Sequence, residues 1–333
     1  MKQIKLFLLI TIILISFHIL SYSEKGTNLI PDLQKKCEDL NEDFEGTIIV
    51  MEPDSGRIFA ISNPGFSIKS RIQPGSVFKP VIAYIALESM MVTPFYKVNC
   101  NYKYEVYNKI LFCSWAEGHK QVNMEKAIAV SCNYYFYTIA RLIGEEKMLS
   151  YFQELDLDKK TDIDIEGEVK NSIPKQLDEI ELANIGIGVN SELLLTPIKI
   201  MQIMNIFPAN GKLVKPVYYS NSKKHIQKQV KFMHNENSPI LNGMKRSVEV
   251  GTSKGLNLKP FKVSGKTGTS PIDNSNLRDN WALFFGFYPY NNPEVSILVI
   301  VKGGYGSTDA VPVARSVFLK YFEIKEYSKE LVR

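Results

Sequence analysis

Ser76 and Lys79 stand three residues apart, Ser131 and Asn133 two apart, and Lys266-Thr267-Gly268-Thr269 form a third polar group far downstream. Those residue types in that order can build an acyl-transfer site that needs no histidine. A serine hydroxyl would attack a carbonyl, while a lysine amine and a second serine would move its proton. Asparagine and threonine would hold an amide-bearing substrate.

The three groups differ in how specific they are. Ser-x-x-Lys occurs three times, at Ser76, Ser172 and Ser220, and the last two lie in polar, turn-rich stretches that read as solvated loop. Ser76 instead follows Pro74-Gly75 and opens the apolar run Val77 to Leu87, with Pro80 in the first turn. The pattern predicts a buried helix there. Residues three apart share a helix face, so the Lys79 amine would lie beside the Ser76 hydroxyl, and a dry helix N-terminus disfavours an ammonium. Taken alone, this motif would read as a capping serine with a surface lysine.

Ser131-Cys132-Asn133 interrupts an apolar stretch from Ala127 to Tyr137. Polar groups in such surroundings are either hydrogen-bonded or open to a cleft, so a break between two helices competes evenly with a site. Lys266-Thr267-Gly268 follows a strand-like segment, and its glycine permits close backbone approach to a carboxylate-bearing substrate. Gly265-Lys266-Thr267 imitates the end of a phosphate-binding loop. That loop needs glycine five residues before Gly265, where the chain has Pro260. The ordered joint occurrence of the three groups favours the site.

The elements that must position these groups follow from periodicity. Helical patterns cover Ser76–Met91, Glu125–Ile143, Glu146–Glu154, Thr196–Ile206 and Pro239–Val250, and a last helix covers Val311–Tyr327. Strand-like runs fall at Thr47–Met51, Arg57–Ile61, Lys262–Ser264, Ala282–Phe287 and Val295–Val301. Strands near both ends with helices between predict an α+β fold: one antiparallel sheet flanked by helices, beside an all-helical lobe, with the motifs at the cleft between them.

Beyond the triplets, the chain resembles the transpeptidase domain of penicillin-binding proteins. The resemblance is carried by Glu45 to Ala60, by Pro74 to Pro80, by Gly118-His119 with Val122-Asn123 and Ala127, and by Asn184 to Gly188 with Leu195-Thr196-Pro197. Asn210-Gly211 and Trp281 with Gly286-Phe287 extend it. It implies a penicillin-binding/β-lactamase-like transpeptidase fold and a D,D-transpeptidase that cross-links peptidoglycan stem peptides. Ser76 would attack the penultimate D-alanine carbonyl with Lys79 as base. Ser131 would relay the proton, and Asn133 would bind the substrate amide. Lys266, Thr267 and Thr269, with Gly268 between them, would bind its terminal carboxylate, and the Ser76 and Thr269 N–H groups would form the oxyanion hole. The alternatives are a D,D-carboxypeptidase, a β-lactamase-type hydrolase or a β-lactam sensor that stays acylated. The resemblance also implies stem peptides and β-lactam antibiotics as ligands, and cell-wall synthesis proteins as partners.

The chain's 333 residues, 45% of them hydrophobic, suit one large domain. Lys2 and Lys5 before the apolar run Leu6–Phe17, ending near Ser21-Tyr22-Ser23, have the layout of a signal peptide or N-terminal anchor over residues 1–23. Residues 24–43 then read as a short linker and 44–333 as the transpeptidase domain, placed at the outer face of the cytoplasmic membrane or in the periplasm. That linker is short beside the glycosyltransferase or pedestal domain of large members of the family. Of the net charge of +5, two units are Lys2 and Lys5, leaving +3 (5 − 2), which offers no case for nucleic acid. Cys37, Cys100, Cys113 and Cys132 follow no metal spacing, and His18, His119, His225 and His234 are scattered, so neither metal nor cofactor is expected. Free buried thiols are the default, with a Cys100–Cys113 disulfide the alternative after export. Family precedent makes Cys132 packing rather than nucleophile.

Overall fold

Val295 to Val301 is apolar at every position but Ser296, so it belongs in mid-sheet with both faces covered. The computed structural model describes residues 26–222, 224–232, 235, 237–272 and 279–330. The leader expected over 1–23 lies outside the described residues, as do His18, Lys223 and His234. Among the described residues, no helix is long and apolar enough to cross a membrane.

In chain order, helix α1 (Pro31–Asn41) precedes strands β1 (Gly46–Met51) and β2 (Ile58–Ile61) and helix α2 (Pro64–Lys69). A 3₁₀ turn (Gly75–Phe78) leads into α3 (Lys79–Glu88). Four short strands follow: β3 (Lys97–Cys100), β4 (Lys103–Val106), β5 (Lys109–Phe112) and β6 (Lys120–Asn123). Next come the helices α4 (Met124–Ala129), α5 (Asn133–Ile143), α6 (Glu145–Glu154), α7 (Glu179–Gly186) and α8 (Pro197–Met204). Strands β7 (Lys212–Val214) and β8 (Ile226–Gln229) precede α9 (Pro239–Glu249), and β9 (Ser264–Pro271), β10 (Asn280–Tyr288), β11 (Val295–Lys302) and α10 (Val311–Glu330) close the chain.

The central sheet has the order β2-β1-β11-β10-β9, and its pairings are antiparallel. Its side chains alternate between two cores. Ile49, Leu283, Phe285, Leu298 and Ile300 pack toward the helical lobe. Ile48, Ala282, Phe284, Ile297 and Val299 pack on the other face beneath α1 and α10. The expected sheet of chain ends is therefore present, with a helical lobe beside it. The lobe is not purely helical, because the β3–β6 and β4–β5 ribbons attach to it.

Three expected elements differ. The helix read across Glu125–Ile143 is two helices, because Ser131 takes a left-handed backbone (φ 56°) between them. The strand read at Lys262–Ser264 instead runs Ser264–Pro271 through the third motif, whose small polar residues carry no apolar alternation. Residues 24–43, read as a linker, contain α1, whose Leu33 and Cys37 are buried against the sheet, so this stretch is part of the packed unit.

Gly265 and Gly286 face each other across β9 and β10, and the Phe284 ring fills the space their missing side chains leave. Replacing Phe284 with alanine is expected to cost about 3–5 kcal/mol. Urea unfolding of the two proteins measures the difference.

Candidate active site

The nucleophile candidate sits on a tight turn held from two sides. Gly75 takes a left-handed conformation (φ 56°), and its N–H donates to the Gly188 carbonyl at 2.9 Å. A side chain on Gly188 would lie 2.2 Å from the Gly75 oxygen, so the Asn184–Gly188 stretch works as a backbone clamp on the turn. On the other side, a Cβ on Gly268 would stand 2.9 Å from the Val77 nitrogen. The glycine of the third motif thus lets edge strand β9 slide under the turn that carries Ser76. Ser76 is half-buried, and its hydroxyl has no hydrogen-bond partner among the described residues.

Lys79 begins α3 and is fully buried. Its Nζ lies 2.8 Å from the Ser131 carbonyl, 3.0 Å from Ser131 Oγ and 2.7 Å from Asn133 Oδ1. Lys266 Nζ, also fully buried, reaches the same Ser131 Oγ at 2.9 Å and the Thr267 carbonyl at 2.8 Å. The left-handed turn at Ser131 is what aims both its carbonyl and its hydroxyl at these amines. Burial pulls the Lys79 amine down to about 7, with Cys132 and Cys113 opposing, and burial plus the neighbouring Lys79 hold Lys266 well below the usual lysine range. Two ammonium groups on one hydroxyl would repel strongly in a dry site.

Lys79 donates to all three of these oxygens, so a proton taken up by its amine lies in line for Ser131 Oγ. The arrangement is a short proton wire that can take a proton at Lys79 and deliver it at Ser131.

The structure thus gathers Lys79, Ser131, Asn133 and Lys266 into one network, with Ser76 on the adjoining turn. The expected direct contact between Ser76 and Lys79 is not among its hydrogen bonds. Thr267 Oγ1 turns to Thr252 Oγ1 at 2.7 Å, and Thr269 Oγ1 accepts from the Gly306 N–H at 3.4 Å. Sequence reasoning missed Thr252, whose only signal is the polar Gly251-Thr252-Ser253 run after α9. It also missed Ser114, whose hydroxyl donates to the Ser131 carbonyl at 3.4 Å.

A second departure lies just beneath. Cys100, Cys113, His119 and Cys132 bring three sulfurs and one imidazole nitrogen within 4.8 Å of one another. The sequence left these residues scattered, with no partner for His119, because they come from four separate loops and strand ends. The cysteines are free, so the Cys100–Cys113 disulfide is not formed. The hydrogen bond with Cys132 pulls the Cys113 thiol down, and Cys132 is pushed up.

A family model described as the penicillin binding protein transpeptidase domain matches residues 46–320. Peptidoglycan D,D-transpeptidase MrdA of Acinetobacter baumannii is 24% identical, over 82% of this chain and 50% of its own. Stage V sporulation protein D of Bacillus subtilis is 25% identical, over 78% of this chain and 43% of its own. The chain thus spans about half the length of these curated relatives. Among solved structures, PBP2 of Helicobacter pylori in complex with MreC superposes with a TM-score of 0.81 at 21% identity, covering 90% of this chain and 64% of that one.

Lys79 titrates near 7 when folded against an ordinary value of 10.5. Between those values the unfolded chain binds a proton the folded chain lacks, so this group's contribution to stability rises with pH across that window. Below it both states are protonated, and the cost of burying the charge is fully felt. Urea unfolding should therefore show the wild type gaining stability over Lys79→Met as pH rises from about 7 to about 10.

Proposed function

Because this chain belongs to the penicillin-binding protein transpeptidase family, we propose that it is a D,D-transpeptidase cross-linking peptidoglycan stem peptides through an acyl-enzyme on Ser76. The observation that carries this reading is the buried Lys79–Ser131–Lys266 network beside the nucleophile turn. As Ser76 Oγ attacks the penultimate D-alanine carbonyl, its proton passes to neutral Lys79. The proton then passes through Ser131 to the nitrogen of the departing D-alanine. Asn133 Nδ2 and the edge of β9 offer hydrogen bonds to the peptide, and the polar third motif receives its terminal carboxylate. The Ser76 and Thr269 N–H groups serve as the oxyanion hole, each such donor being worth about 2.7–4 kcal/mol. An acceptor amine then attacks the ester and regenerates the Ser76 hydroxyl.

Transfer over hydrolysis is supported by relatives named as peptidoglycan D,D-transpeptidases. This chemistry requires the domain to face the cell wall, and the basic-then-apolar pattern of residues 1–23 supports that placement outside the cytoplasm. The likeness to a PBP2 solved with MreC supports a partner from the wall-synthesis machinery.

The test is covalent labelling. Incubated with a fluorescent penicillin, the protein should hold a stable label that Ser76→Ala lacks, with a labelling rate that climbs as pH rises through about 7. Given a stem peptide and an amine acceptor, it should release D-alanine and form the cross-linked product. Equal labelling of Ser76→Ala sinks the reading. Rapid loss of label as hydrolysed drug points to a β-lactamase, and D-alanine release without cross-linking points to a carboxypeptidase.

A further inference from the structure

Cys100 ends β3, Cys113 follows β5, His119 precedes β6, and Cys132 caps the N-terminus of α5 inside the second motif. Twelve, five and twelve residues separate them in sequence. In the fold, Cys113 Sγ lies 3.3 Å from His119 Nδ1, Cys100 Sγ lies 3.7 Å from the same nitrogen, and Cys113 Sγ lies 3.8 Å from Cys132 Sγ. A tetrahedral zinc ion with Zn–S near 2.3 Å and Zn–N near 2.0–2.1 Å has ligand–ligand edges of about 3.6–3.8 Å. The four side chains therefore already stand close to the corners of such a tetrahedron.

Two simpler accounts fit less well. A disulfide needs sulfurs at about 2.05 Å and would leave one thiol and the imidazole over. Thiols packed as small apolar groups have no reason to converge on an imidazole nitrogen, yet here two sulfurs do. The backbone is also shaped for the convergence. Gly118 is left-handed (φ 68°), and a side chain there would lie 2.3 Å from the Cys100 carbonyl oxygen. Only glycine lets the chain cross β3 that closely and deliver His119 beside Cys100.

We propose that Cys100, Cys113, His119 and Cys132 form a structural Zn²⁺ site that ties the two β-ribbons to the second motif and so positions Ser131 and Asn133. Three thiolates and one imidazole are soft ligands that select zinc, and four protein ligands leave no open position for chemistry. Cys132 is the residue between Ser131 and Asn133, so the metal grips the motif from below. Lys79 and Lys266 engage it from above. A left-handed serine is a costly backbone state unless its surroundings hold it. Fixing Cys132 to three other chain segments supplies that restraint, and loss of the metal frees the turn on which the proton wire depends.

The metal half of the proposal stands independently of the catalytic reading. The full chain, purified under reducing conditions without a metal-affinity tag, should contain one zinc per molecule by elemental analysis. Cobalt substitution should give the visible absorption of a tetrahedral thiolate-rich site. Cys100→Ser/Cys113→Ser should lose the metal. If that variant fails to fold, the zinc content and cobalt spectrum of the wild type still decide. Wild type that binds neither metal, or that carries a Cys113–Cys132 disulfide (a mass loss of two hydrogens), overturns the site. For the positioning role, the metal-free protein should keep its reversible affinity for a fluorescent penicillin while its acylation rate constant falls about 10–100-fold. Unchanged acylation in folded, metal-free protein overturns that role.

Discussion

Two buried amines meet on one hydroxyl, with Lys79 Nζ 3.0 Å and Lys266 Nζ 2.9 Å from Ser131 Oγ. In water the pair would be two cations. Here desolvation holds both below the usual lysine range, and their mutual repulsion keeps them from being charged together. Much of the remaining architecture serves to keep that meeting point dry and fixed.

Three elements converge to do so. The sheet contributes its edge strand β9, which places Lys266 opposite Phe285 and Gly268 opposite Leu283, side chains that pack into the lobe-side core. The lobe contributes the N-terminus of α3 and the turn between α4 and α5. Close approach between sheet and lobe is bought with glycine: Gly268 lies under Val77, and Gly75 against the Thr269 carbonyl. The site is therefore the seam between two cores, where a small shift of either body would separate the amines from the serine.

The sequence and the structure agree best where chemistry and apolar periodicity are both strong. Val295–Val301 and Ala282–Phe287 were legible as strands because their apolar residues face two cores. Helix α6 was legible from its 3.6-residue pattern. The third motif was read as following a strand rather than forming its body, since serine, glycine, lysine and threonine carry no apolar alternation. The break at Ser131 was half legible: the polar interruption marked a site or a helix break, and it is both. The ribbons before the second motif were not legible, nor was the cluster that their two cysteines and histidine form with Cys132. Their ligand spacing matches no short metal motif, and only strand pairing closes the gaps.

Residue types and their order thus determined by themselves the chemistry this chain carries: a serine, two lysines and an asparagine with the family texture around them. That is because nucleophile, base and donor are properties of side chains. Tertiary structure alone decided that Lys79 contacts Ser131 and Asn133 rather than Ser76, and that both lysines are stripped of water. It also gathered Cys100, Cys113, His119 and Cys132 under the second motif. Burial, like-charge proximity and ligand convergence depend on which distant segments pack together, and no local pattern encodes those distances.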